Sequence, residues 1–534
     1  MPDASYDAVI IGGGHNGLCL AAYLARAGQK VGVFEQRHEE AGGAHTEEAT
    51  VPGFWHNLHA QYMEFIDYMP FYHDFDLPSF GARMIKPDAQ VGIAFADGRP
   101  PLVIYRPGLE EETHHSISRF SKSDADTFNE VRRKVLAHDR YLAALLYNPP
   151  AGEMTGCDRA EFENKLIEMW MGLGFKLNEL EKSPKVLIDE LFESTELRAA
   201  LYRQCPEWGA NLHSGTGLGF ILSVIWLCGI HYMSVGGTHT LGHAMASACL
   251  KEGVDLRYNS HVRAILTRNG RATGIQLDDG REIEARIVAS NADPRTTFVE
   301  LLGEEKLSAF RKERLTNWRF GPEHVLGTPS FALHQPPDYK SARHDPAINR
   351  CFYTIVGYEN HHEVSEYILQ AYGGRIPETP GAGTWVNTLW DPSQAPPGKH
   401  AMNGWFFFPK ASCLSEAEWS EIRASYNSRF LELWERYAPN MTPHNVIAER
   451  LYTPLDIQSK IGMPEGDFSH GRPGVMILGV ERDNVYRAEI EGLYMCGASA
   501  GGGGITAAPG YNAFKVIAQD HGLPEVWRRD DRIY

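Results

Sequence analysis

The sequence predicts an α/β fold in which a discontinuous Rossmann-type domain is completed by a mixed α+β domain. Three segments carry the prediction. A strand, glycine loop, helix and strand open the chain; a helix followed by short strands occupies residues 236–300; a second strand, glycine loop and helix stands near the end.

Residues 7–11 read as a short buried strand. They run into Gly12-Gly13-Gly14-His15-Asn16-Gly17, which contains G-x-G-x-x-G. Residues 18–27 then read as a helix ended by Gly28, and residues 30–34 as a second strand closing at Glu35. This is a βαβ unit with the dinucleotide fingerprint in the context it requires. Gly12 allows the tight turn, Gly14 lets the backbone approach a pyrophosphate, and Gly17 lets the helix pack close to the sheet. The helix N-terminus offers N–H groups and a partial positive charge to phosphates. Glu35, 18 residues beyond Gly17, is placed to accept hydrogen bonds from ribose hydroxyls. An acid there repels a 2′-phosphate and so argues against NADP; FAD and NAD remain.

At 534 residues the chain is too long for one such unit, so two or more cores are expected. The net charge of −17 argues against nucleic acid and against electrostatic adhesion to anionic lipid. Eight scattered cysteines with no C-x-x-C suit a reducing cytoplasm and give no metal pattern. His239 and His243 have helical spacing but lack a third candidate ligand, so no metal is expected. The strand begins almost at once, which leaves no room for a signal peptide. The apolar stretch 217–230 is too short to span a bilayer and reads as buried core or tunnel wall.

After Glu35 and Gln36 comes Gly42-Gly43, a pair that permits close backbone approach to a ligand. Residues 52–65 are rich in histidine and aromatics, among them His59 and Tyr62. Asp97-Gly98 signals a hairpin between residues 91–95 and 102–105. Residues 109–230 read mainly helical, with 111–134 and 162–180 as charged amphipathic segments. A helix running to about residue 252 follows Gly236-Gly237-Thr238. Strands are expected over 254–258, 262–268, 273–277 and 286–290, with tight turns at Asn269-Gly270 and Asp279-Gly280. Residues 305–475 are mixed α/β, and Trp385, Trp390, Trp405 and residues 406–408 lie in strand-like runs. These runs read equally as a β-sheet core or as one apolar wall of a substrate cavity, since one sheet can be core on one face and pocket on the other. Residues 492–497 read as a strand, 498–504 as a small flexible loop, and a helix runs to about residue 520.

These segments together resemble the FAD-dependent phytoene-desaturase-like oxidoreductases (carotenoid desaturases and isomerases) within the amine-oxidase-like flavoproteins. Gly12 to Gly17 with Glu35 is similar to the family's ADP-binding unit, and Gly42-Gly43 to its double-glycine extension, although Ala44 stands where the family often has arginine. Val262 falls where the backbone meets the adenine. Gly497 and Ala498 match the segment that meets the pyrophosphate and ribitol; Ile505, Thr506, Tyr511 and Asn512 match the segment beside the isoalloxazine. A cofactor gripped by both ends of the chain fits extended FAD rather than NAD.

The resemblance implies a discontinuous Rossmann-type FAD-binding domain over 1–80, 231–300 and 476–534. It implies a mixed α+β substrate domain with a helical insertion over 81–230 and 301–475. It further implies dehydrogenation: hydride passes from a substrate carbon to the flavin, which carries the chemistry while the protein supplies position and electrostatics. His59, Tyr511 and Arg482 are the candidate catalytic residues. A desaturase acting on a small apolar or alicyclic substrate, such as a cyclic ketone, is the leading expectation. A carotenoid or polyene desaturase, an amine oxidase and a non-catalytic FAD-binding assembly protein are the alternatives. A cytoplasmic chain, without a membrane span and with room for a homo-oligomer, completes the reading.

Overall fold

The computed structural model describes residues 4–150, 152–155, 159–207, 209–215, 217–227, 231–318, 320, 324–471, 485–501 and 504–534. The fold is α/β, as the sequence predicts, and rests on two seven-stranded sheets.

In the first sheet the strands run in the order Val262–Arg268, Arg271–Leu277, Glu282–Ser290, Ala4–Ile11, Val31–Phe34 and Asp255–Arg257. Ala8, Val9 and Ile10 are fully buried, as is usual for a central parallel strand. Ala4–Ile11 runs parallel to both neighbours, with Ile11 opposite Phe34 and Ser290. The late strand Leu493–Met495 lies parallel beside Glu282–Ser290, with Met495 opposite Ser290. The chain therefore leaves these strands along one edge, at Gly12, Glu35, Asn291 and Cys496. In open parallel sheets that edge is where ligands bind. Asn269-Gly270 makes its hairpin with both residues at positive φ (52° and 75°), the turn that matches strand twist.

The fingerprint helix is His15–Arg26, three residues longer at its start than the sequence suggests, because Gly14 is the last extended residue of the loop. Its residues 16–24 are all buried. The sheet covers one side; His239–Lys251 and the late helix Ala508–His521 cover the others.

The second sheet runs Val446–Tyr452, Val325–Leu333, His400–Phe408, Ala382–Trp385, Tyr353–Val356, Ala89–Ile93, Leu102–Tyr105. Alternation along its strands divides two environments. Phe406, Phe408 and Phe331 pack on Trp419, Tyr426, Phe430 and Trp434 of the helix Glu416–Glu435. Trp405, Leu326 and Thr328 face the other way and line a cavity. One sheet is thus core and pocket wall at once. Trp390 departs from its strand-like expectation: it ends a 3-10 turn over Asn387–Leu389.

Residues 110–227 are mainly helical. The segment 111–134 is not one helix but two, Glu110–Ser118 and Lys122–Leu136, because Ser121 accepts a hydrogen bond from the Asp124 N–H and starts a new helix. The segment 162–180 likewise breaks into Arg159–Gly172 and a 3-10 turn over Leu177–Glu181. Within the apolar stretch, Leu218–Leu227 is helical, and Phe220, Ile221 and Val224 are core residues; residues 228–230 lie outside the described ones. Among the described residues no helix is long and apolar enough to cross a membrane.

Candidate active site

A cavity of about 420 Å³ lies along the carboxyl edge of the first sheet and extends to the wall of the second. Its first end is the fingerprint. No side chain caps the helix His15–Arg26, and no acid stands in its first turn, so its N-terminus is suited to an anion. A Cβ on Gly17 would stand 2.4 Å from the Gly12 carbonyl oxygen, so only glycine lets this helix start so close to the loop. Glu35 Oε2 accepts the Gly13 N–H at 2.7 Å and Oε1 accepts the Arg37 N–H at 2.8 Å. Each oxygen keeps a lone pair, and the carboxylate lines the cavity.

Gly12, Gly14, His15, Asn16, Glu35, Gln36, Gly42, Gly43, Val262, Ala498 and Ile505 line the cavity. Gly17, Ala44, Gly497, Thr506 and Asn512 are buried behind the lining. The side chains of two of these make hydrogen bonds within the protein. Thr506 Oγ1 accepts the Ala508 N–H at 3.4 Å, and the Asn512 side chain donates to the Leu146 carbonyl at 2.9 Å. Several buried polar atoms on the lining have no partner: His15 Nε2, Asn16 Oδ1 and Asp293 Oδ2. Unpaired buried polar atoms are costly, and a dinucleotide's phosphates, ribose and ring edges offer the missing partners. The residues present therefore fit such a group.

The catalytic candidates fare differently. His59 lines the cavity, both its ring nitrogens lack partners, and burial holds its pKa well below the ordinary value, so the ring is neutral. Tyr511 is not among the residues lining the cavity. Its side chain faces away from the cavity, its ring packs on Tyr23 at 5.2 Å, and its hydroxyl donates to the Tyr534 carbonyl at 3.2 Å. Burial raises its pKa, so the phenol stays protonated near neutrality. Arg482 lies outside the described residues.

The far end holds two acids that the sequence reading did not single out. Glu64 is buried, and burial pushes its pKa up to about 8. Its carboxyl fills the space over Gly504, where a Cβ would stand 1.7 Å from Oε1. Met63 and Tyr232 exchange backbone hydrogen bonds of 2.8 and 2.9 Å and so pin the segment carrying Glu64. Glu207 ends the helix Thr195–Glu207. Its Oε1 lies 2.6 Å from Arg203 Nη1 and accepts the Tyr353 hydroxyl; Oε2 has no partner. Burial pushes Glu207 up to about 7, against the pull of the Arg203 charge. Around both acids stands an aromatic wall: Tyr62 and Trp405 line the cavity with ring centroids 5.5 Å apart, and Trp385 backs them.

Parallel strands, an anion-ready helix and a cavity where the strands end define a dinucleotide-binding protein of the Rossmann class. Residues 10–75 match the family described as NAD(P)-binding Rossmann-like domain. Across 99% of its length the chain is 32% identical to a component of the limonene dehydrogenase of Castellaniella defragrans, covering 97% of that protein. It is 23% identical to the zeta-carotene-forming phytoene desaturase of Myxococcus xanthus, over 92% of this chain and 89% of that one. Among solved structures, a cofactor-binding redesign variant of putrescine oxidase superposes with a TM-score of 0.60 at 14% identity, covering 97% of this chain and 99% of that one, a likeness of fold. The chain belongs to the family of phytoene-desaturase-like oxidoreductases. It is an enzyme of the dehydrogenase and desaturase kind, with a flavin as its cofactor.

Proposed function

We propose that the chain is an FAD-dependent desaturase that installs a C=C bond in a small apolar, alicyclic substrate. The observation that carries this reading is the continuity of one cavity from the fingerprint loop to the aromatic wall, so that a dinucleotide and an apolar molecule meet inside it. FAD is favoured over NAD because segments from both ends of the chain, Gly12 to Asn16 and Ala498 with Ile505, line the same space. In this reading the helix His15–Arg26 holds the pyrophosphate, Glu35 accepts the adenosine ribose hydroxyls, and Val262 meets the adenine. The relatives named for limonene and phytoene support a substrate without phosphate or carboxylate.

Bound FAD supplies the oxidant, which accepts hydride from a substrate carbon. The chain's own residues do the rest. Tyr62, Trp405 and Leu326 exclude water and hold the ring by dispersion and area burial, about 25 cal/mol per Å² of apolar surface. His59, neutral and buried, adds no competing charge.

The test is anaerobic flavin bleaching by alicyclic hydrocarbons, cyclic ketones, amines and polyenes. Bleaching by alicyclic compounds is the expected result. Bleaching by amines alone would replace this reading with an amine oxidase, and a colourless protein that takes up no FAD would remove the flavin reading altogether.

A further inference from the structure

Among the buried polar atoms of the cavity lining that lack a partner, one is a carboxylate oxygen beside the aromatic wall. Glu207 Oε2 is buried, lines the cavity and has no hydrogen-bond partner. The other carboxylate oxygen is firmly held by Arg203 and Tyr353. Arg203 is itself fixed, donating to the Trp405 carbonyl at 3.0 Å with its guanidinium 3.6 Å from the Phe407 ring centroid. The carboxylate is thus paired through Oε1 and unpaired at Oε2, in a residue that lines the cavity.

We propose that Glu207 is the base of the desaturation, taking the substrate's second hydrogen as a proton on Oε2. The inference rests on the desaturase reading above. The balance is simple. One substrate carbon gives up hydride to the oxidised FAD, which is reduced by two electrons. The C–H bond on the neighbouring carbon breaks, its electron pair closes the C=C bond, and its proton forms an O–H bond on Oε2. The substrate is oxidised by the loss of two hydrogens. While hydride departs, positive charge grows on the substrate, and a carboxylate facing an apolar wall is well placed to stabilise it.

The neighbouring candidates do not offer the same combination. Among the described residues no cation offsets the burial of Glu64, which favours its protonated form at neutral pH. His59 resists protonation, because burial and the charges of His45, Lys460 and Arg37 all disfavour the cation. Glu207 sits near neutrality, where a group can be deprotonated before the reaction and protonated after it. The groups that face it are Arg203, Tyr353, Tyr62 and Tyr367. The three phenols are raised by burial, so the Glu207 carboxyl is the group of this cluster that titrates near neutrality.

The test uses flavin-loaded Glu207→Gln, which keeps an acceptor for Tyr353, with Glu207→Asp as the partner variant. Two readouts are needed. In infrared difference spectra against pH, a protonated-carboxyl band should titrate with a midpoint of about 7 in the parent, persist in Glu64→Gln and vanish in Glu207→Gln. In anaerobic bleaching by an alicyclic substrate, the parent rate should rise through the same midpoint. Glu207→Gln should be slower by about 100-fold or more with an unchanged flavin spectrum, and Glu207→Asp should recover part of the rate. Equal bleaching rates in parent and Glu207→Gln, or a band that survives the substitution, overturn the inference. Should Glu207→Gln fail to fold, the same criteria apply to Glu207→Asp, whose pH midpoint must move. A parent that no alicyclic compound bleaches removes the desaturase reading itself, and the infrared titration then still reports whether Glu207 ionises there.

Discussion

Glu35 secures two backbone N–H groups while it presents its carboxylate to the cavity. Glu35→Ala should therefore act twice, weakening FAD retention by about 1.5–3 kcal/mol and loosening the loop at Gly13. Flavin content after dialysis against a range of FAD concentrations measures the first effect. Glu64 provides a pH test. Burial lifts its pKa from 4.5 to about 8, so between those values the folded chain holds a proton that the unfolded chain has released. Stability then falls as pH rises through that window. Glu64→Gln removes this dependence and, relative to the parent, should gain roughly 3–5 kcal/mol between acid and alkaline conditions. Denaturant midpoints on either side of the window read the difference. Glu207 shows why such residues escape a sequence reading. Arg203 and Glu207, four apart on a helix, look like a solvated surface pair. Only the fold closes them off from water and brings Tyr353 to them from a distant strand.

At the scale of elements, the start of the fingerprint helix is the least forgiving joint. The missing Cβ of Gly17 leaves room for the Gly12 carbonyl. Gly17→Ala should push the helix off the loop, costing about 1–3 kcal/mol and lowering flavin occupancy together; thermal melting and the flavin-to-protein absorbance ratio check both. This element was legible because strand, loop, helix and acid occur at fixed spacing within a few dozen residues. The hairpin of residues 89–105 and the strands of 255–290 were legible for the same local reason, as turn residues bracket apolar runs. Legibility failed where a distant partner decides. Trp390 has strand-like neighbours, yet the chain turns there after Asn387–Leu389. Tyr511 follows the late glycine loop, but the helix Ala508–His521 points that side chain at Tyr23 on the fingerprint helix. A helix has several faces, and a motif match does not say which one a residue occupies.

For the whole molecule, the first sheet is assembled from three stretches of chain, residues 4–34, 255–290 and 493–495, and the cavity lies where they end. A flavin bound there would bridge segments nearly 500 residues apart and should stabilise the native state by mass action, about 2.7 kcal/mol at a hundredfold excess over Kd. Removing the flavin should lower Tm, and restoring it should raise Tm with the logarithm of its concentration; a concentration-independent Tm would mean that the native state does not bind it in preference to the unfolded chain. The second sheet has a different consequence, one for protein engineering. Along His400–Phe408 and Val325–Leu333, positions that touch the substrate space alternate one by one with positions that touch the Glu416–Glu435 helix. Mutagenesis in contiguous blocks would confound selectivity with expression, whereas libraries confined to every second codon, at Leu326, Thr328 and Trp405, would vary what the enzyme accepts while leaving its foundation untouched.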